Sequence, residues 1–593
     1  MTKEHLAAMI RESGAKNSSQ IALRIKESGE WKETTYKEMV EIIDALSLAL
    51  IDMGVKEGQT VGIFSQNKPQ WSIADFAILS IGAVSVPIYA TNTSKQAEYI
   101  VDDAEIKVLF ADSTEQYTKV QAFQKSSKKL KKIIVIDRSI KLEGEESIYF
   151  DDAVALGKKS KSQSELTKRL EKGKPSDLAT LIYTSGTTGD PKGVMLTHSN
   201  FYHQIKGIAE HFNITKADKS LCFLPLSHAY ERAWCYIVFN FGAQVNYLAD
   251  PKTIVDVMPD VKPTAMVSVP RLYEKIYSTV FERLEKGSPV KKKLFMWALA
   301  KGKKYQYSKK DKKFIGPWLG FTHALANKLV LSKIRGIVGG PKNFFSAGGA
   351  ALSKEIEEFF FAAGLLVCQG YGLSETSPVI TCNRPAEFKF GTVGKVIADT
   401  EIKISEHGEI LTRGGNLMKG YYNKPDETAK AIVDGWFHTG DVGEIDSEGY
   451  LRITDRIKDI MITAQGKNIS PQRIESIVGM DHYIEQVMAV GEKRPYVTGL
   501  IVPNFAALEE YAADKGISWT SREDLVARPE IISFYKARIE AASVELAGYE
   551  QIKRFKIMPD EFSQEGGELT PTLKMKRRLV SDKYKAIIEE LYA

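Results

Sequence analysis

Cysteine is scarce in this sequence: Cys222, Cys235, Cys368 and Cys382 are the four in 593 residues. None stands in a C-x-x-C spacing, which removes the usual sequence frame of a zinc site or a disulfide scaffold and leaves packing as their expected role. Long apolar runs are missing as well. The longest, Phe359 to Cys368, is too short to span a bilayer. The N-terminal stretch MTKEHLAAMIRESG lacks the apolar core of a secretion signal, so a cytoplasmic protein is expected. There is no internal repeat, and no low-complexity tract beyond one lysine-rich block. Apolar content of 43% and charged content of 26% are those of a globular chain and exclude disorder. The length predicts three or four structural units with cores of their own.

Net charge is +6, yet one segment carries more than all of it. Between Lys286 and Lys313 eleven lysines stand against a single acid, Asp311, so the remainder is mildly acidic. A nucleic-acid-binding protein would spread its basic residues over a folded face; one block enclosing Leu294, Phe295, Met296 and Trp297 argues against that class. Two readings stay open. The block is either a solvated insertion surface or a patch whose lysines, flanking Phe295, Met296 and Trp297, draw the protein to an anionic membrane.

Short β-branched runs at 61–64, 83–89, 108–110, 133–136 and 265–269 alternate with amphipathic segments such as Tyr36–Asp52. Continuous apolar strands of this kind belong to sheets buried on both faces, which predicts an α/β fold. After Gly391 the texture changes to alternating runs with turn signals, "GEILTRG" and "GEIDSEGYLRITDR", as in hairpins of a barrel or mixed sheet. A boundary follows near Asp455. Beyond it Ser470 and Pro471 read as the N-cap and first residue of a helix whose apolar face is Ile474, Ile477 and Val478. The expected organisation is a large N-terminal domain, 1–454, of doubly wound sheets plus a β-barrel-like subdomain, with the basic insertion at about 285–335. A hinge at 455–458 and a small mobile α+β domain, 459–593, complete it.

The stretch "YTSGTTGDPKGV", 183–194, follows the apolar run 178–182 and collects glycines, hydroxyls and one lysine. Glycines let backbone amides approach a ligand, hydroxyls add donors and Lys192 adds charge, which suits phosphate oxygens. It is not the Walker pattern, since Lys192 lies between Pro191 and Gly193. By itself the stretch reads equally as a surface turn.

Further stretches follow in order: "LPLSHAYERA" (224–233), "SAGGAALS" (346–353) with "QGYGLSETSP" (369–378), "GWFHTGDVG" (435–443) with "DRIKDIMITAQGKNISP" (455–471), and "TPTLKMKRR" (570–578). Together with the glycine-rich loop, and over nearly the whole chain, they resemble the adenylate-forming acyl-CoA synthetases, relatives of firefly luciferase and of non-ribosomal adenylation domains. "LPLSHAYER", "SVPRLYEKIY" and the insertion before Ser346 are most similar to long-chain fatty acid CoA ligases. The resemblance implies ATP-dependent activation of a long-chain fatty acid through an acyl-adenylate, with Mg²⁺, and transfer to CoA, releasing AMP and pyrophosphate.

It also implies roles. Thr184, Ser185, Gly186, Thr187, Thr188, Gly189 and Lys192 would wrap the β- and γ-phosphates, and Glu375 with the Thr184 hydroxyl would hold Mg²⁺, a hard cation that takes oxygen ligands. Tyr371 would stack on adenine inside Gln369, Gly370, Gly372 and Ser374, with Gly348 and Gly349 leaving the other side open. Asp441 would bind the ribose diol, supported by Arg456. His228 would orient the acyl carboxylate, with Tyr230 and Trp234 along the acyl path. Lys574 would bridge carboxylate and α-phosphate; Leu573 stands where the family has glycine, and Lys576, on the same side if the stretch is extended, is the second candidate. Asp455 and Lys458 would form the hinge, and Gly466 and Lys467 the CoA path. Taken singly, several of these have plainer readings: Glu375 as a helix-start acid, His228 and Trp234 as core residues, and Tyr371, Asp441 and Gly466 as turn residues. Loading of a carrier protein, or a non-catalytic acyl or nucleotide sensor, are the alternative functions.

Overall fold

The structure, a computed structural model, describes residues 4–127, 129–184, 191–457, 459–465, 467–570 and 574–593. The α/β expectation is borne out, with a large N-terminal part of mixed α/β structure and a smaller C-terminal part. The amphipathic segment is the helix Tyr36–Asp52, opened by a reciprocal cap in which the Glu38 amide donates to Thr35 Oγ1 (3.3 Å) and the Thr35 amide to the Glu38 carboxylate (2.8 Å). The strands Thr60–Phe64 and Val84–Ile88 are buried at every residue, as strands covered on both faces must be.

These two strands lie in an eight-stranded sheet. Its order is Gly420–Tyr421, Lys192–Thr197, Leu178–Thr184, Val84–Ile88, Thr60–Phe64, Val108–Ala111, Lys132–Val135 and Ser147–Tyr149. Pairing is parallel from Leu178–Thr184 onward and antiparallel across the first three strands. A five-stranded sheet runs Ala265–Ser268, Phe344–Ala347, Val367–Gly372, Val379–Cys382 and Lys395–Val396, and a four-stranded sheet pairs Ile21–Glu27 with Gln244–Tyr247. The barrel-like texture after Gly391 belongs to an antiparallel sheet of Thr400–Ile404, Glu409–Gly414, Trp436–Ile445 and Ile432–Val433, with Leu451–Arg456 paired to Trp436–Ile445.

After Arg456 the chain leaves that sheet. The C-terminal part is built on Ile484–Val490, Val497–Pro503 and Ile552–Ile557, with helices including Pro471–Val478, whose Ile474 and Val478 are buried. Ser470 caps that helix as expected, accepting from the Arg473 amide (3.3 Å). The basic insertion is helical: Pro289–Lys310, Pro317–Ala326, a π-turn Asn327–Leu331, and Ser332–Ile337. All four cysteines are free and buried. Cys222, Cys235 and Glu231 converge, and burial pushes the Glu231 carboxyl up to about 8, where it accepts from the Leu224 amide (3.2 Å).

Candidate active site

The expected phosphate and adenine residues sit at or beside strand ends, and Asp441 lies inside the strand Trp436–Ile445. Thr184 closes the strand Leu178–Thr184, Gly348 and Gly349 follow Phe344–Ala347, and Gly372 closes Val367–Gly372. Carboxyl ends of strands are where α/β folds place ligands. The Tyr371 hydroxyl donates to Asp441 Oδ2 (2.7 Å) and Arg456 Nε donates to Oδ1 (2.7 Å). Tyr371 and Asp441 are both buried. Burial, then the Asp441 charge, push the Tyr371 phenol far up, so it remains a donor. A carboxylate offers about four lone-pair directions, so these two bonds leave Asp441 room for further donors. The sequence implied all three residues but not the Tyr371–Asp441 bond.

The neighbouring glycines divide. A Cβ on Gly372 would stand 1.7 Å from the Pro378 carbonyl oxygen, so only glycine fits there. A Cβ on Gly348 would stand 3.0 Å from the Tyr230 ring, whereas one on Gly349, at φ +84, would meet nothing within 4 Å. Gln369 spends its amide on the backbone of Leu352, accepting at 2.9 Å and donating at 3.2 Å, and so braces the 346–353 turn instead of offering itself to a base. Gly370 is in ordinary contact with Thr381, and Ser374 begins the short turn Ser374–Thr376 that carries Glu375.

Ser185, Gly186, Thr187, Thr188 and Gly189 lie outside the described residues, as do Lys458 and Gly466. The frame of the loop is described: Thr184 and Lys192 are directly paired across the antiparallel hairpin. Glu375 and Thr184 are hard oxygen donors of the kind Mg²⁺ takes. Glu375 accepts from the Tyr421 hydroxyl at Oε1 (2.9 Å). The residues present therefore fit the ion.

His228 caps the helix Ala229–Asn240, its Nδ1 accepting from the Tyr230 amide (3.1 Å). That bond places the proton of the neutral ring on Nε2. Burial, then the charge of Lys574, lower the His228 pKa to about 4. Tyr230 is half-buried and its hydroxyl lies 2.6 Å from Ser346 Oγ. Trp234, expected along the acyl path or in the core, is 2% exposed, donates to Ser220 Oγ (2.8 Å) and packs on Phe344 at 5.1 Å between centroids.

Lys574 comes from the other part of the molecule and stands in the field of the same groups. Its area is open to solvent, yet the side chain is flanked closely enough for desolvation, then Arg456, to lower its pKa, against Asp441 and Glu375, which raise it. Bonds between Thr570 and Lys574 (2.8 and 3.0 Å) and a bridge between Leu569 and Met575 tie the described flanks together, and Lys576 stands at the N-cap position of the helix Arg577–Lys583. Asp455 is the penultimate residue of the strand Leu451–Arg456 and accepts from the Arg456 amide (2.7 Å). Lys467 closes a turn with Thr463, two bonds of 3.0 and 3.1 Å joining them.

Other groups here carried no sequence signal. Arg232, fully buried, donates to Thr180 Oγ1 (2.7 Å) on the strand that feeds the loop and forms an ion pair with Asp75. Three contacts seat the C-terminal part on the helix Pro270–Glu285 and its end: Arg271 to Glu485 (2.8 Å), Glu282 to His482 (3.2 Å) and Lys286 to Glu510 (2.7 Å). Each pairs residues far apart in the chain, and nothing local marks them.

Comparison with known proteins agrees with this arrangement. The family model described as AMP-binding enzyme matches residues 10–422, and that of the AMP-binding enzyme C-terminal domain matches 458–593. The long-chain-fatty-acid–CoA ligase FadD15 of Mycobacterium bovis is 36% identical over 593 residues, covering 99% of this chain and 97% of its own. Mouse long-chain-fatty-acid–CoA ligase 5 is 32% identical, over 95% of this chain and 84% of its own. Among solved structures, the A domain of a carboxylic acid reductase from Segniliparus rugosus, in complex with AMP and a co-purified carboxylic acid, aligns with a TM-score of 0.76 at 19% identity, over 99% of this chain and 94% of that one. A family match spanning most of the chain, joined to near-full-length relatives above 30% identity, establishes that this chain belongs to the AMP-binding enzymes, as an adenylate-forming acyl-CoA synthetase.

Proposed function

We infer that the chain is an AMP-forming long-chain fatty acid CoA ligase, which activates a fatty acid as its acyl-adenylate and passes the acyl group to free CoA. The observation that carries the mechanism is the convergence of Lys574, from the C-terminal part, with His228, Glu375, Asp441 and Arg456 of the large part. A fatty carboxylate is already ionised at neutral pH, so no base is needed. Repulsion between anions opposes its attack on the α-phosphate, and placed positive charge is what lowers that barrier. Lys574 supplies it, and the His228 Nε2–H orients the carboxylate. The Tyr371 ring receives adenine, and Asp441, held by Tyr371 and Arg456, accepts from the ribose hydroxyls. Thr184, the loop after it and Lys192 take the β- and γ-phosphates. Glu375 and Thr184 would hold Mg²⁺, which neutralises phosphate charge when bound. Rotation about Asp455–Lys458 then brings Gly466 and Lys467 to the site for CoA, Gly466 offering no side chain to obstruct the pantetheine arm. An acid panel assayed for AMP release with free CoA as acceptor tests the reading: medium-to-long fatty acids should exceed acetate and aromatic acids, and equal turnover of acetate and palmitate overturns the substrate class.

Contact with an anionic membrane is part of this reading, on a corrected surface. Phe295 is buried and Trp297 half-buried, so they cannot both face lipid. Phe314, Trp318 and Phe321 are 88%, 72% and 64% exposed, and Trp318 stacks on Phe321. Exposed Lys309, Lys310, Lys312, Lys313 and Lys328 surround them in sequence. Aromatic rings at the interface with lysines toward anionic headgroups is the pattern of a peripheral contact. No described helix is long and apolar enough to cross a membrane. Vesicles rich in anionic lipid should sediment more protein than neutral ones at low salt, and Trp318→Ala should reduce the difference; equal sedimentation removes this part of the reading.

A further inference from the structure

Lys192 and Glu375, the residues read above as meeting phosphate and Mg²⁺, are 183 positions apart in the sequence, yet one side chain touches both. Strand Gly420–Tyr421 adds to the edge of the eight-stranded sheet, pairing Tyr421 with Val194 two residues beyond Lys192. From there the Tyr421 hydroxyl donates to Glu375 Oε1 (2.9 Å), and the Lys192 ammonium lies over the Tyr421 ring, 5.1 Å from its centroid. The same segment grips the main chain on both sides. The Met418 amide donates to the Glu375 carbonyl (2.8 Å) and the Tyr422 amide to the Gly193 carbonyl (2.8 Å). Lys192 also forms an ion pair with Glu427, in the helix Pro425–Ala431, and Glu427 holds Lys430 as well (3.0 Å).

We propose that Tyr421 is a positioning residue that fixes Glu375 and Lys192 relative to each other, and that Glu427 is a built-in anion holding the Lys192 ammonium until the nucleotide's phosphates displace it. This rests on the reading in which Lys192 and Glu375 face the polyphosphate and its metal. The parts have the right strengths. The Lys192–Glu427 pair is about one-third exposed on each side, 31% and 37%, and pairs so open to solvent are weak. A triphosphate brings more negative charge than one carboxylate, so exchange favours it. Glu427 is not stranded by the exchange, because Lys430 stays beside it.

Glu427 therefore competes with ATP, while Tyr421 assists it, and the two substitutions should act in opposite directions. Calorimetric titration of ATP onto the full chain reads this without turnover. Glu427→Gln should tighten ATP binding about fivefold, by removing the competitor. Tyr421→Phe keeps the ring under Lys192 and should lose about tenfold of the tightening that Mg²⁺ gives, while ATP binding without Mg²⁺ changes less. In pyrophosphate exchange, Glu427→Gln should lower the ATP KM with kcat within about twofold. A merely structural role for Glu427 would weaken binding, never tighten it. The proposal is overturned if Lys192→Ala weakens ATP binding but Glu427→Gln and Tyr421→Phe bind ATP and Mg²⁺ as the parent does. If Lys192→Ala itself binds ATP unchanged, the underlying placement of Lys192 fails, and the proposal with it.

Discussion

The nucleotide side of the site and the seam that seats the C-terminal part are made of the same kinds of charged group at opposite ends of the burial range. Tyr371 and Asp441 are 8% and 5% exposed and lock to each other and to Arg456. Lys286 and Glu510 are 54% and 57% exposed, and Arg271 and Glu485 are 44% and 41%. Buried bonds resist loss, because a partner left alone keeps the full cost of desolvation. Exposed pairs contribute about 0–1 kcal/mol each and exchange readily with water and salt. The molecule thus fixes the groups proposed to hold the nucleotide and leaves removable the contacts that bring Lys574 to them. A site with two successive tasks needs that division.

The largest expected break falls on the group that the seam delivers. Lys574→Ala should lower pyrophosphate exchange by roughly a hundredfold or more, the loss typical of a main electrostatic group. Thioester formation from supplied acyl-adenylate and CoA should survive. If both half-reactions fall alike, the seam does not deliver a group specific to the first step; if only Lys576→Ala stops adenylation, the role belongs to Lys576. Next, Gly466→Leu should cost the thioester step about tenfold to a hundredfold by obstructing the pantetheine path, with adenylation intact. Separate assay of the two steps reads this, and equal losses refute it.

A smaller effect sharpens the contrast on the buried side. His5 and His198 stack at 3.6 Å between centroids, both buried, and burial lowers His5 to about 4 and His198 well below its usual value. An unfolded histidine titrates near 6.5. Between those values the unfolded chain binds more protons, so this stability is complete above about pH 6.5 and is lost as pH falls toward 4. Thermal melts should show Tm lower by a few degrees across that window, and His5→Gln should flatten the slope; an unchanged slope excludes the pair as its source. The smallest effect belongs to the seam. Glu485→Lys should change the ratio of the two half-reactions by about twofold to fivefold, and the change should shrink in about 0.5 M salt. A salt-independent change would mean the contact is not an open ion pair.

Much of this was legible in the sequence, and the exceptions share a cause. The helix Tyr36–Asp52 carries its own cap and apolar face, and the strand cores of the eight-stranded sheet are β-branched runs, so local chemistry identified both. The direction of Trp234 and Phe295 was not legible, because an aromatic beside a functional motif or among lysines has no local mark of which way it points; packing on Phe344 and on Phe281 turns both inward. The lipid-facing alternative moved to Phe314, Trp318 and Phe321 for the same reason.

By itself the sequence determined the α/β class, the start of the helix Pro471–Val478 and the family, because each is written in composition, periodicity or short motifs. Only the tertiary structure decided that Tyr371 bonds Asp441, that Tyr421 joins Lys192 to Glu375, that Arg232 braces Thr180, and that Arg271, Glu282 and Lys286 of the large part pair with Glu485, His482 and Glu510 of the C-terminal part. These pairs bring together residues 46 to 229 positions apart. Their strength depends on burial and distance, which no stretch of sequence carries until the chain has closed on itself.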